Sequence, residues 1–247
     1  MNWPKPLRYI WSWWAIFWLL ATTIPVASLV ILAGALRLGD ERIQVLARFW
    51  ARALIYGAGC PVSVEGVENL EPGAPYIFAS NHASALDIPA LLAVLPNNFR
   101  WIAKKELFGI PLFGQSLKAA GYIAIDRGDN RKAMQSILTA VERIKAGASV
   151  VIFPEGTRSE DGNLLPFKAG GFMLALRSGR PVVPVAVLGS NHALKPKRLL
   201  LNPGPVRVVL GRPIPSQGRG TSDREALAEE VRQAMQALID EHQSRQG

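Results

Sequence analysis

A stretch without a charged residue runs from Tyr9 to Leu36, bounded by Arg8 and Arg37. As a straight helix it would be about 42 Å long at about 1.5 Å per residue, whereas the hydrocarbon core of a bilayer is about 30 Å thick. Five of the seven tryptophans fall in the first 18 residues, where an aromatic belt at a membrane interface would place them. The sequence therefore predicts that this N-terminal part lies in or on a membrane.

Three interpretations of this stretch compete. A cleaved signal peptide would explain Lys5 and Arg8 ahead of the apolar run, but the run is about twice as long as a signal core. A single tilted transmembrane helix also fits the length. Two short helices that meet at Pro25 fit better, because basic residues flank both ends and a hairpin would return both ends to one face. We expect this hairpin.

The segment from Asp40 to Gly57 places apolar residues at helical spacing with arginines between them. This pattern predicts an amphipathic helix on the membrane surface or on the main domain, ended by Gly57 and Gly59. We therefore divide the chain into residues 1–58, the membrane-anchoring helices, and residues 59–247, one α/β domain.

Short β-rich runs alternate with helical patterns over the rest of the chain. The runs are PVSVEG, PYIFAS, FRWIA, GYIAI, SVVIFP, PVVPVAV and VRVVLG. Such alternation predicts a mostly parallel sheet covered by helices. Sites in such folds gather at the carboxyl ends of the strands.

The net charge of +9 is unevenly spread, since the segment from Gly162 to Ser222 holds nine basic residues and no acidic one. This imbalance favours an anionic partner, such as a phosphate-bearing substrate, an acidic membrane or an acidic protein. A nucleic-acid partner would rest on charge alone, because no reading motif is found. The single cysteine, Cys60, excludes an internal disulfide and a thiolate cluster, and no metal is expected.

His82 and Asp87 follow the strand-like run YIFAS. With His82 in the loop and Asp87 opening the helix DIPALLAVLP, the two side chains can meet. A neutral imidazole can then take a proton from an alcohol, while the carboxylate orients the ring. The alternative is a loop histidine beside an aspartate that only caps the helix. A second Asn-His pair, at His192, has Lys197 where the partner carboxylate would be.

A serine nucleophile for such a pair is missing, because no G-x-S-x-G motif occurs in the sequence. The alcohol would then come from the substrate. The alternative nucleophile, Cys60, lies in the apolar context AGCPVSV.

Basic groups follow three other predicted strands. Lys104 and Lys105 follow one, Arg127 follows another, and a third is followed by Glu155, Gly156, Thr157 and Arg158. Glycine lets backbone N–H groups approach a ligand, and arginine offers a planar fork suited to a phosphate. Together these groups would suit one dianion, although each alone is an ordinary surface charge.

Taken together, these blocks resemble the glycerolipid acyltransferase family, and specifically its 1-acylglycerol-3-phosphate (lysophosphatidic acid) acyltransferases. Asn81, His82 and Asp87 match the N-H-x(4)-D block, and GYIAIDR, FPEGTRS and VVPVAV are similar to the second, third and fourth blocks, in the family's order. The resemblance covers roughly residues 60–215. It implies an α/β sandwich on an N-terminal two-helix membrane motif.

The resemblance further implies that His82 is the general base and that Asp87 orients it. The sn-2 hydroxyl of the lysolipid would attack the thioester of acyl-carrier protein or coenzyme A, with no cofactor besides this co-substrate. The residues implied around the acceptor phosphate are Lys104 or Lys105, Arg127, Glu155, Gly156, Thr157 and Arg158. For Glu155, a carboxylate, we expect a role in orienting Arg158 or a substrate hydroxyl.

The implied partners are membrane lipids, lysophosphatidic acid and the acyl donor, acyl-coenzyme A or acyl-carrier protein. The site is expected on the cytoplasmic face of a membrane, the inner membrane in a bacterium. Another lysolipid, such as lysophosphatidylglycerol or an amino-acid lysolipid, is the alternative acceptor. A lipid-binding protein without catalysis is the alternative from another class, and the intact His82, Asp87, Glu155 and Arg158 argue against it.

Overall fold

The computed structural model describes residues 3–96, 98–126 and 130–244. Seven strands form one sheet in the order β1-β7-β6-β2-β5-β3-β4. They are β1 (Val62–Glu65), β2 (Ile77–Ser80), β3 (Phe99–Lys104), β4 (Ile123–Ile125), β5 (Ser149–Ile152), β6 (Val182–Leu188) and β7 (Val206–Leu210). Strands β2 to β6 are mutually parallel, while β1 and β7 pair in parallel with each other and run against β6. The predicted mostly parallel sheet is confirmed.

Helices cover both faces of this sheet. They are α1 (Lys5–Ala35), α2 (Asp40–Gly57), α3 (Asp87–Val94), α4 (Phe113–Ala119), α5 (Asn130–Lys145), α6 (Met173–Ser178), α7 (Ser190–Ala193) and α8 (Arg224–Ser244). The central strands β2 and β5 are buried throughout. Phe78 and Val151 pack in one core with α2 and α3, while their strand neighbours Ile77 and Val150 pack in another with α5, α6 and α8. Alternate side chains of each strand therefore pack against helices on opposite faces of the sheet.

The parallel strands place the candidate residues at one edge of the sheet. Strand β2 lies between β6 and β5, and β5 pairs on its other side with β3. Because these strands run the same way, their carboxyl ends meet, and the loops that follow them lie side by side. Those loops begin at Asn81, Phe153 and Lys105.

The predicted break at Pro25 is wrong, because α1 is one continuous helix through that residue. Proline removes one helical hydrogen bond, but packing holds both halves of the helix in line. Before the proline, Trp18 Nε1 donates to the Ala53 carbonyl at 2.8 Å. Beyond it, Val26 and Val30 are buried in a cluster with Ile43 of α2. The predicted two-helix motif is present as the antiparallel pair α1 and α2 instead.

Tryptophan indoles join α1 to the C-terminal end of α2. Trp11 and Trp14 donate their Nε1–H groups to the carbonyls of Ala58 and Gly57 at 2.8 and 3.1 Å. The last carbonyls of a helix have no partner within it, so these bonds satisfy them. Gly57 is required here, since a Cβ at this position would clash with the indole of Trp18. Three of the five N-terminal tryptophans therefore bind protein carbonyls rather than serving only as interfacial anchors.

Much of the remaining surface of α1 is apolar and exposed. Its exposed large side chains are Leu7, Tyr9, Ile10, Trp13, Trp14, Phe17, Leu19, Leu20, Ile24, Leu29 and Leu32. In the described part of the chain, α1 is the one helix that is long and apolar enough to cross a membrane, judged by length and composition. An exposed apolar face of this size indicates membrane association.

Candidate functional site

His82 and Asp87 meet in the loop between β2 and α3. His82 Nδ1 lies 2.8 Å from Asp87 Oδ2, and the same oxygen accepts the backbone N–H groups of Ala83 and Ser84 at 2.8 Å each. Asp87 is fully buried. The carboxylate therefore closes the loop and binds the imidazole at once, so the helix-cap alternative does not account for its contacts.

The histidine ring is fixed on a second side by Phe153. The two rings stack at 4.0 Å between centroids with planes 18° apart, and Phe153 in turn stacks on Trp101 at 5.6 Å. With Nδ1–H donated to the carboxylate, the neutral ring carries its lone pair on Nε2. The sequence offers no signal for this stack, because Phe153 reads as one more apolar residue at the end of β5.

Glu155 holds the backbone of His82 from the neighbouring loop. Its Oε1 accepts the N–H of His82 at 2.7 Å and its Oε2 accepts the N–H of Leu165 at 3.1 Å. The carbonyl of His82 accepts the N–H of Ser159 at 2.8 Å. Both backbone groups of the histidine are thus bound by the loop after β5. This contact differs from the expected role of orienting Arg158 or a substrate hydroxyl.

Burial raises the pKa of Glu155 to about 7, which the bonds from His82 and Leu165 oppose and the charge of Asp87 reinforces. The residue is only 3% exposed. The ionised form can accept both N–H groups, whereas a protonated carboxyl gives up part of that capacity. The group therefore titrates near neutral pH at the point where it holds the histidine.

We expect the pH dependence of stability to change in Glu155→Gln. A folded-state pKa raised from 4.5 to about 7 means that stability present below pH 4.5 is lost as the pH rises through 7. Relative to the variant, which cannot titrate, the wild type should lose about 1–3 kcal/mol of unfolding free energy over this window. Urea unfolding in detergent across this range measures the difference.

The matched control is Glu229→Gln on the surface of α8. Its side chain pairs with Arg232, which lowers the pKa of Glu229 to about 2. Above about pH 5.5 this carboxyl is ionised in both the folded and the unfolded state, so removing it should leave the pH slope there unchanged. If the difference in unfolding free energy between the wild type and Glu155→Gln stays constant from pH 4.5 to 8, then Glu155 does not titrate in this range with a raised pKa.

The structure separates the predicted basic residues. Lys104 lines the cavity at His82, together with Gly156, Thr157 and Arg158. Lys105 instead donates to Asp126 at 2.6 Å and does not line this cavity. Arg127 lies outside the described residues. Of the lysine pair, Lys104 is therefore the one brought to the site.

A further lysine that the sequence did not single out as a site residue lies beside this loop. Gly156 has φ +73°, and a Cβ there would come 3.0 Å from Lys168 Nζ. The backbone N–H of Lys168 donates to the Pro154 carbonyl at 2.8 Å. The absence of a side chain at Gly156 thus gives Lys168 room to cross the loop. In the sequence, Lys168 was one basic residue among nine.

A cavity of about 610 Å³ opens at His82. Its walls are mostly apolar and come from α1, α2, α3, α4 and β3, so the histidine and the membrane-associated helix face one space. Thr23, Val26, Ala27 and Val30 line it from α1. Cys60 is not among the lining residues, and burial raises the pKa of its thiol. A buried, protonated thiol away from the cavity is a poor nucleophile.

Several known proteins are similar to this chain. The acyltransferase family profile matches residues 61–188. A chloroplastic 1-acyl-sn-glycerol-3-phosphate acyltransferase of Brassica napus is 39% identical over 68% of this chain, which spans 49% of that relative. The human 1-acyl-sn-glycerol-3-phosphate acyltransferase alpha is 33% identical over 81% of this chain, and the match spans 71% of that relative.

The fold is also that of a solved structure. The 1-acyl-sn-glycerophosphate (LPA) acyltransferase PlsC from Thermotoga maritima has a TM-score of 0.80 and 26% identity, over 95% of this chain and 97% of that one. The profile match covers more than half of the chain, and His82, Asp87 and Glu155 lie within it. The chain spans about half the length of the plant relative. On these findings the chain belongs to the acyltransferase family.

Proposed function

We propose that the protein transfers a fatty acyl group from an acyl thioester to the sn-2 hydroxyl of 1-acylglycerol-3-phosphate, giving phosphatidic acid. The observation that carries this proposal is the His82–Asp87 pair, joined at 2.8 Å and open to the cavity that α1 helps to line. A base in such a place can act on a lipid that stays in its leaflet. The names of the relatives support this acceptor.

The reaction needs one base and no covalent acyl-enzyme. Nε2 of His82 takes the proton of the substrate hydroxyl as its oxygen attacks the thioester carbonyl. The tetrahedral intermediate then collapses, the carbon–sulfur bond breaks, and the imidazolium returns the proton to the leaving thiolate. Throughout, Asp87 keeps the ring in the required tautomer and stabilises its charged form.

The acceptor phosphate and the acyl chain would occupy different parts of the cavity. Among the described residues, Arg158 and Lys104 are the arginine and lysine on its wall, and they suit a phosphate monoester. The apolar walls contributed by α1 and α4 suit a hydrocarbon chain. We further propose that the site lies on the cytoplasmic face of the membrane and that the donor is acyl-coenzyme A or acyl-carrier protein.

Thiol release by the purified protein in detergent tests the proposal. We expect release from acyl-coenzyme A or acyl-carrier protein only when lysophosphatidic acid is present. Release that requires a different lysolipid would keep the chemistry but change the acceptor. An absence of release across both donors and a panel of lysolipid acceptors would favour a non-catalytic lipid-binding protein.

Replacing Arg158 with alanine should raise the KM for the lysolipid. A hydrogen bond to a charged group contributes about 1.5–3 kcal/mol, so the increase should be about 10- to 100-fold. The KM for the donor should change less. Steady-state kinetics with each substrate varied in turn measures both constants.

Arg177→Ala is the matched control for this variant. Arg177 is also an exposed arginine, but it lies on α6 just before β6, at the amino end of the parallel strands. Its loss should leave both KM values unchanged. An acceptor KM unaffected by Arg158→Ala would overturn the phosphate-binding role.

A further inference from the structure

The loop between α7 and β7 carries a basic and apolar tip. We call residues 194–202 the basic loop; its sequence is LKPKRLLLN. Leu199 is 77% exposed, more than any other large apolar side chain in the described part of the chain. Its neighbours Lys195, Lys197 and Arg198 are exposed as well. An apolar side chain at the tip of a basic loop is unusual on a surface that meets only water.

The basic loop is bound to the start of the membrane-associated helix. Arg8 donates to the carbonyls of Leu201 and Leu200 at 3.3 and 3.4 Å. The hydroxyl of Ser12 accepts the N–H of Leu201 at 2.9 Å. These bonds keep the loop beside α1, much of whose remaining surface is apolar and exposed.

The same loop is bound to the catalytic loops. Ser84, which lies between His82 and Asp87, donates its hydroxyl to the Leu194 carbonyl at 2.7 Å. Lys197 pairs with Glu160 at 2.6 Å, two residues beyond Arg158. The basic loop therefore connects α1 to both segments that form the candidate site.

Two of its cations, Lys195 and Arg198, have no carboxylate partner among the residues that the structure describes. Lys197, in contrast, is paired with Glu160. The charges of Lys195 and Arg198, next to Leu199, are left for a partner outside the chain. A lipid surface fits better than an acidic protein, because Leu199 calls for an apolar contact and the loop is bound to α1, the helix whose exposed apolar side chains indicate membrane association.

We propose that residues 195–199 form a second contact with the membrane. Leu199 enters the boundary between the head groups and the acyl chains, and Lys195 and Arg198 bind anionic head groups. Together with α1, this contact fixes the distance between the leaflet and His82. This contact sets the position of the protein on the membrane, whichever lysolipid is acylated.

A polarity-sensitive dye on Leu199→Cys tests the contact. The one native cysteine, Cys60, is fully buried, so a dye should label the new cysteine selectively. The labelled full-length chain is bound to vesicles of phosphatidylcholine with phosphatidylglycerol. We expect the dye emission to shift to the blue and a lipid-borne quencher to reduce it.

The control label is placed at Arg212→Cys. Arg212 follows β7, which runs antiparallel to β6, so it lies at the opposite edge of the sheet from the basic loop. Its label should stay in water on the same vesicles. Equal spectra at positions 199 and 212 would overturn the proposal. So would a label at 199 that responds to acyl-carrier protein but not to vesicles, because the surface would then be a protein-docking site.

The charges are tested by Lys195→Gln/Arg198→Gln. A basic residue near an anionic surface contributes about a fivefold gain in binding, so the pair should lower partitioning into anionic vesicles about 25-fold. Binding to pure phosphatidylcholine should be unchanged. The control Arg177→Gln/Arg212→Gln removes the same charge from the opposite edge. An equal loss in both double variants would mean that only net charge matters and would contradict the specific contact.

Discussion

Replacing His82 with alanine is expected to lower the turnover of the proposed acyl transfer by at least 10²–10⁴-fold, the contribution typical of a general base. We expect this loss because His82 lines the cavity and its imidazole is bound by the buried carboxylate of Asp87. Phe153 and Glu155 hold its ring and its backbone. Substrate KM values should change far less than kcat, since the base acts on a proton in the transition state. Thiol release measured under saturating donor and acceptor gives kcat directly.

The chain provides its own control for this experiment in His192. It too follows an asparagine after a strand of the same sheet, but its ring Nε2 lies 2.8 Å from Asn202 Nδ2, and Lys197 occupies the position of the partner aspartate. His192→Ala should keep nearly wild-type turnover. A His82→Ala protein that retains more than about a tenth of the activity would rule out the base, because general-base catalysis is worth more than that.

The strands were predictable from the sequence because each is a short apolar run that can be recognised from local residues alone. The runs around Phe78 and Val151 are β-branched or aromatic and end at polar residues, and both became buried central strands. The loop position of His82 and the helix start at Asp87 followed from the same pattern. Since parallel strands end at one edge, convergence of the later motifs on His82 could be expected as well.

What the sequence could not predict depends on contacts between distant residues. Pro25 signals a break, but burial of Val26 against α2 and α4 keeps α1 whole. Glu155 looks like a partner of Arg158 because the two are close in the chain. Its bonds go to His82, 73 residues away. Likewise, the adjacent lysines 104 and 105 are equivalent in sequence, but Lys104 lines the cavity and pairs with Glu106 at 3.6 Å, whereas Lys105 pairs with Asp126.

The substitution Asp87→Asn should isolate the charge of the carboxylate from its shape. All three donors bind Oδ2, while buried Oδ1 has no hydrogen-bond partner in the described residues. An asparagine can place its oxygen at the Oδ2 position and its amide nitrogen at the Oδ1 position, keeping the loop bonds. What is lost is the negative charge that stabilises the imidazolium, so we expect kcat to fall by about 10²–10⁴-fold. Circular dichroism and thermal unfolding check that the fold is kept.

The double variant His82→Ala/Asp87→Asn tests whether the two residues act as one unit. If Asp87 works only through the imidazole, then removing it after the imidazole is gone should cost almost nothing, and the double variant should match His82→Ala. Losses that multiply would instead mean that the carboxylate acts on the substrate or holds the site open by itself. The three bonds on one oxygen favour the first outcome, since they direct Asp87 at the histidine and at the loop that carries it.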